Sequence, residues 1–226
     1  MFDLISQYDD QLVDAFWMTI KLTVYSAVLA LILGTVIAAM RVSPVPIARW
    51  FGTAYVTVFR NTPLTLIIVF CQIGLYTSLG LRLAGSGPKS LMENNFRFAV
   101  LGLSVYTAAF VCESLRSGIN TVPLGQSEAG RSLGFTFTQN LRLVVLPQAF
   151  RAVIAPLGSV LIALTKNSTI ASAITVAEAS FLMAKMIETE AAVIEIGAIF
   201  AIGFIILTLP MGLLFGWLAK RYEVAR

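Results

Sequence analysis

The sequence predicts an all-α, polytopic membrane protein with about five transmembrane helices. Three observations carry that expectation. First, 58% of the residues are hydrophobic and 12% are charged, about half the charge of a soluble domain, and the mean hydropathy is +0.84. A water-soluble fold of this size has too little interior to hide so much apolar surface. Second, five stretches each hold the ~20 mostly apolar residues that a helix needs to cross hydrocarbon. Third, those stretches are too long and too evenly apolar for barrel strands, which are short and alternate.

The first stretch runs from Ala15 to Met40. The second runs from Phe51 to Gly80 and is interrupted at Arg60-Asn61-Thr62-Pro63, where Pro63 removes a backbone donor. The third runs from Arg97 to Ile119. The fourth runs from Arg151 to Glu178 and is interrupted near Lys166-Asn167-Ser168. The fifth runs from Ala191 to Leu218. They are expected to form one transmembrane domain over residues 1–226. Asp3, Asp9, Asp10 and Asp14 stand where a cleavable signal would carry basic residues, so the N-terminus is not expected to be one.

Lysine and arginine bias orients the chain. With the N-terminus outside, Arg41, Arg49, Arg116, Arg131, Arg142, Arg151, Lys220, Arg221 and Arg226 fall in one set of loops, and Arg82, Lys89, Arg97 and Lys185 in the other. The richer set is expected in the cytoplasm, which puts the C-terminus inside. The net charge of +4 then reflects topology, and nucleic acid is not an expected partner.

Cys71 and Cys112 fall inside spans as small apolar fillers, and the chain has no histidine, so no metal centre is expected. No P-loop, zinc motif or nucleophile elbow appears, so the chain is not expected to be an enzyme. Trp17, Trp50, Trp217, Phe16, Phe96 and Phe98 suit an interfacial belt. Gly34, Gly102, Gly197 and Gly203 suit close helix packing. Leu81–Asn95 reads as an outer loop.

One long loop, about 120–148, has helical character. Pro123 suits a first helical position, Leu124 to Leu133 suits a short helix, and Gly134 suits a left-handed cap. Thr138 suits the cap of a second helix that Pro147 would end or kink. Glu128 and Arg131 stand at pairing distance on the first helix.

In that loop Glu128-Ala129-Gly130 is followed by Gly134 and then by Leu146-Pro147. This resembles the coupling loop of ABC importer permeases, where Glu-Ala-Ala precedes a glycine and a final Leu-Pro at fixed spacing. Gly130 departs from the pattern. Arg60-Asn61-Thr62-Pro63-Leu64, Glu113 to Ile119, Gly125-Gln126, Leu146-Pro147-Gln148-Ala149 and Leu164-Thr165-Lys166-Asn167 are similar to the polar amino-acid branch of that family. Ala163 to Asn167 and Thr208 to Gly212 look closest to its glutamate-uptake members.

The resemblance implies a type I ABC importer transmembrane domain in a bacterial plasma membrane. It implies a second permease chain, the same or paralogous, a cytoplasmic ATPase subunit that holds ATP and Mg, and an extracytoplasmic solute-binding protein. It places ATPase coupling on Glu128, Ala129, Gly130, Gly134, Leu146 and Pro147. No cofactor is expected in this chain. A secondary transporter or channel is the competing class; such carriers commonly show duplicated halves, and no internal repeat appears.

Charges at bilayer depth need a partner or a watery path. An amino acid needs a cation for its carboxylate and an acceptor for its ammonium. Arg60 and Lys166 are the candidates for carboxylates, Glu113 is the candidate for the ammonium, and Asn61, Thr62, Tyr106, Asn167 and Ser168 are the candidates for neutral hydrogen bonds. The competing reading makes Glu113–Arg116 a structural pair and packs Arg60 and Lys166 against partner chains.

Overall fold

The computed structural model describes residues 2–85, 87 and 90–222, and among these every regular element is a helix. Pro88, Lys89 and Arg226, used above for the outer loop and the charge bias, lie outside the described residues. In chain order the helices are α1 (Phe2–Gln7), α2 (Asp9–Val42), α3 (Pro46–Asn61) and α4 (Leu64–Val69), which continues as a π-helix through Ser78. Next come α5 (Ser90–Asn120), α6 (Leu124–Ser132) and α7 (Phe137–Asn140). A π turn, Leu141–Val145, leads into α8 (Leu146–Asn167), and a 3-10 segment, Ser168–Ile174, follows it. The chain closes with α9 (Ala179–Glu190) and α10 (Val193–Tyr222).

Among the described residues four stretches are long and apolar enough to cross a membrane: α2, α5, the continuous run Thr138–Ile174, and α10. The pair α3–α4 makes a fifth when counted as one bent span. Helix α2 is ~51 Å long at 1.5 Å per residue, well beyond the ~30 Å of hydrocarbon. Its first turns, with exposed Asp9, Asp10 and Asp14, are the part least suited to hydrocarbon.

Helix α5 is the centre of the bundle. It packs against α2, α8, α3 and α4, and 61% of its apolar window is buried, against 11% for α10. Missing side chains permit the closest approaches. A Cβ on Gly34 of α2 would meet Val111 Cβ at 2.7 Å and the Ala108 carbonyl at 2.8 Å, and one on Gly118 of α5 would meet the Ala149 carbonyl of α8 at 2.9 Å. Gly102 lies against Ile68 and Gly203 against Phe16 in the same way. Gly197 faces open space, so it makes no such contact. Phe98 does not join the aromatic belt; it is buried in the core beside Leu22, Ile68 and Leu103.

The boundaries differ from expectation in instructive places. The outer loop is shorter, because α5 begins at Ser90. Asn94, buried on that first turn, accepts hydrogen bonds from Leu83 N (2.8 Å) and Ala84 N (3.1 Å) and pins the loop to the helix. The fourth span ends at Ile174, not Glu178. Glu178 instead caps a further helix, α9, accepting from Ser180 N and Phe181 N while wholly buried. That helix packs on the N-terminal end of α2 through Leu12, Ala15, Leu182 and Met186. At its far end Glu190 accepts a 2.8 Å bond from the Tyr8 hydroxyl.

Candidate functional site

The second span breaks where Pro63 stands. The residue before a proline is pushed out of the helical region, and Thr62 has ψ 130°. The helix axis turns by 104° there. The carbonyls left open at the end of α3 are taken by side chains. Asn61 Nδ2 donates to Thr57 O (2.7 Å) and Thr62 Oγ1 donates to Val58 O (2.8 Å). These two expected path residues therefore spend donors on shaping the elbow, while Asn61 remains exposed.

The elbow carries Arg60 to the side of α5. Its guanidinium lies 5.6 Å from the centre of the Phe110 ring and 3.8 Å from Glu113 Oε2. Tyr106 stacks next along the same face of α5, its ring 5.0 Å from that of Phe110. Arg41, in the last turn of α2, donates through Nη1 to Glu113 Oε1. Glu113 is thus held between two arginines from two other helices. Arg116, the partner expected from spacing, is exposed one turn away. The Arg41 side chain is 9% exposed and that of Glu113 32%, so the carboxylate expected to face an ammonium is shared by two guanidiniums and still reaches open space.

Sequence reasoning missed Arg41 as a member of this cluster. It lies 72 residues from Glu113, and in the sequence it is one more basic residue in a loop.

The fourth span breaks differently. Lys166 and Asn167 end α8, and the chain tightens into the 3-10 segment. Lys166 is exposed and Asn167 half-buried. Ser168 is wholly buried and donates to Thr165 O (2.8 Å), so its hydroxyl is turned into the chain's own interior. The segment ends at Thr175, which has φ +60°, a strained setting for a β-branched residue. Asn95 Nδ2 holds the Thr175 hydroxyl at 3.0 Å. Among the described residues no hydrogen bond or ion pair joins Lys166 or Asn167 to the Glu113 cluster.

The hairpin is a third unit. Helix α6 ends in a Schellman motif: Phe135 N donates to Gly130 O (3.1 Å), Gly134 N donates to Arg131 O (3.0 Å), and Gly134 sits at φ +82°. Pro123 stands at the N-cap, one residue before the position expected of it. The second helix is capped by Thr136, not Thr138. Thr136 Oγ1 accepts from Gln139 N while Gln139 Oε1 accepts from Thr136 N, a reciprocal capping box. Pro147 does not end that helix. The Leu141–Val145 π turn carries it directly into α8, with Pro147 second in that α-helical run.

Among the described residues Glu128 and Arg131 form no ion pair, and both are exposed, as is Ala129. Leu124 is 80% exposed and Leu133 77%. Only Gly130 is buried among the described residues of α6. A Cβ on Gly130 would collide with Asn140 Oδ1, so the side chain of Asn140 fills the space an alanine methyl would take. Leu146 is half-buried and Pro147 exposed. Gln148 Nε2 donates to Gln126 Oε1, closing α6 onto the first turn of α8.

Residues 17–224 match the family described as binding-protein-dependent transport system inner membrane components. The chain belongs to that family. This inner-membrane component is 59% identical over 217 residues to the glutamate transport system permease protein GluC of Corynebacterium efficiens, covering 95% of each chain. It is 34% identical over 223 residues to a probable glutamine ABC transporter permease, GlnM of Bacillus subtilis, covering 99% of this chain and 96% of that one. Its fold matches a crystal structure of an amino acid ABC transporter solved with histidines, with a TM-score of 0.87, 27% identity and 98% of each chain covered. Like other members of the family, the component is a multi-pass membrane subunit and is not itself the catalytic one.

Proposed function

We propose that this chain is the membrane-spanning permease subunit of an ATP-driven importer that carries a polar amino acid, glutamate foremost, into the cytoplasm. The end-to-end similarity to a glutamate permease carries this reading, because it leaves no span, elbow or hairpin unmatched. Glutamine, aspartate and arginine are the alternative cargoes, the first supported by the glutamine relative.

ATP and Mg belong to a cytoplasmic ATPase subunit that receives Glu128, Ala129, Gly130 and Gly134 of the hairpin, with Leu146 and Pro147 at its base. An extracytoplasmic binding protein delivers substrate, and a second permease chain, the same or paralogous, completes the path. The N-terminus faces outward and the C-terminus inward, supported by Arg49, Arg116, Arg131 and Arg142 lying in the loops that would then be cytoplasmic. On the path, Arg60 and Lys166 meet carboxylates. Glu113 positions Arg60 and offers its open edge to the ammonium, while Asn61, Thr62, Tyr106 and Asn167 shape the route. Ser168 supports the 3-10 turn from behind.

The test is uptake of labelled glutamate by vesicles containing the assembled transporter, with unlabelled competitors. Glutamate competing more strongly than glutamine, aspartate or arginine is the expected result. Preferential displacement by arginine or glutamine would replace the cargo assignment.

A further inference from the structure

The open surface between α2 and α5 holds a groove of about 950 Å³ on the side away from the Glu113 cluster. Its walls are apolar: Val24, Val28 and Leu29 from α2, with Phe96 and Leu101 from α5. Val24 and Val28 are each 52% exposed, so the described residues leave about half of each uncovered. Buried Val100 of α5 also lines the groove. From Met18 to Leu29 the groove runs ~16 Å along α2, about the depth of one leaflet's hydrocarbon.

The charge is confined to one end. Lys21 and Arg97 stand there with Glu93. Arg97 is already engaged, to the Leu83 carbonyl and, at 4.0 Å, to Glu93. Lys21 has no hydrogen bond or ion pair among the described residues, and the end carries one net positive charge. Trp17 is exposed one turn nearer the α2 N-terminus, at the level where an interfacial aromatic is favoured. A lysine at the edge of hydrocarbon is costly without an anion or water to meet its ammonium.

We infer that this groove binds one anionic phospholipid of the leaflet at the N-terminal end of α2, with an acyl chain along Val24, Val28 and Leu29 and the headgroup phosphate on Lys21. The pattern selects an amphiphile over a protein helix. A helix filling the groove would need a carboxylate at one end and an apolar face for the rest, and would leave the lysine-to-interface placement without purpose. A phospholipid supplies both parts at the depths observed. Arg97, fixed by Leu83 and Glu93, walls the headgroup site on its other side.

The test is native mass spectrometry of the assembled transporter released from nanodiscs holding phosphatidylglycerol and phosphatidylcholine with identical acyl chains. Wild type is expected to retain phosphatidylglycerol preferentially. K21Q is expected to reduce that preference about fivefold, the weight of one lysine near an anionic surface, and K21R to restore it. Equal retention of the two lipids by wild type would overturn the proposal, as would an unchanged preference in K21Q. A disulfide crosslink between two copies of a Val28→Cys chain would also overturn it, by assigning the groove to protein. Wild-type retention is read directly, so the proposal stays testable even if K21Q fails to assemble.

Discussion

Helices α5 and α6 are joined by three residues and are finished in opposite ways. Helix α5 is completed by its own chain: α2 crosses it at Gly34, α8 at Gly118 and α4 at Gly102. Helix α6 begins after Pro123 with no side-chain cap and is closed at its other end by the Schellman turn of Gly134, yet its face is bare, with Leu124 and Leu133 exposed. A helix of nine residues is marginal alone. What holds it is local: the Schellman turn at its end and the Gln126–Gln148 bond. The contrast teaches that α5 is packed by its own chain, whereas the hairpin presents an uncovered face, which fits the proposed docking of an ATPase subunit there.

That contrast breaks if the two regions respond alike to substitution. The largest effect is expected from Gly34→Leu. It drives a side chain into Val111 and the Ala108 carbonyl, where overpacking of a rigid core costs ~1–3 kcal/mol or more. Membrane-inserted protein should fall steeply, as measured by fluorescence-detected size exclusion. Gly134→Val should leave that profile unchanged, because a Cβ there meets open space. It should still lower ATP-driven uptake by more than about tenfold, since a β-branched residue at positive φ unwinds the turn. Loss of folded protein in Gly134→Val would show the hairpin to be part of the support.

The charged cluster sharpens the comparison at intermediate scale. Arg41 is nearly buried on Glu113, so Arg41→Met removes its direct partner there, and should cost about 1–2 kcal/mol of stability, because Arg60 and open space still meet the carboxylate. Arg60 pairs with the same carboxylate at 3.8 Å and is 44% exposed, a setting worth at most about 1 kcal/mol. Arg60→Met should therefore spare thermal stability and impair transport. Lys166→Met should do the same, keeping assembly with the ATPase while losing uptake of carboxylate substrate; failure to assemble would make Lys166 structural.

The smallest effect concerns Gly130. An alanine there gains up to ~1 kcal/mol of helix propensity but collides with Asn140. Gly130→Ala should impair coupling only a few-fold, and Asn140→Ala in the same chain should restore it. Additive losses in the pair would separate the two positions.

The spans, both interruptions and the Gly134 turn were open to sequence reasoning, because run length, Pro63 and a glycine after a short helix each have a local physical meaning. The cap at Thr136 was also readable, since Thr-x-x-Gln is a local signature, but Thr138 competes with it two residues on. Arg41 on Glu113 was not readable, as nothing local distinguishes an arginine that ends a span from one that reaches across to another helix. Helix α9 escaped for a related reason. It is short, and its N-cap is a buried glutamate that loses its meaning until α2 covers it. Gly197 and Phe98 show the converse: periodicity places a residue in a span but does not say which way it points.

The central claim is that this chain supports and presents while another chain does the chemical work, and reconstitution by omission tests it most directly. Vesicles are prepared with the permease pair and binding protein, with or without the ATPase subunit, and labelled glutamate uptake is followed after ATP is supplied to the hairpin side. The account predicts uptake only when the ATPase and ATP are both present, and none from Gly134→Val under the same conditions. Full-rate accumulation with the ATPase left out would contradict it.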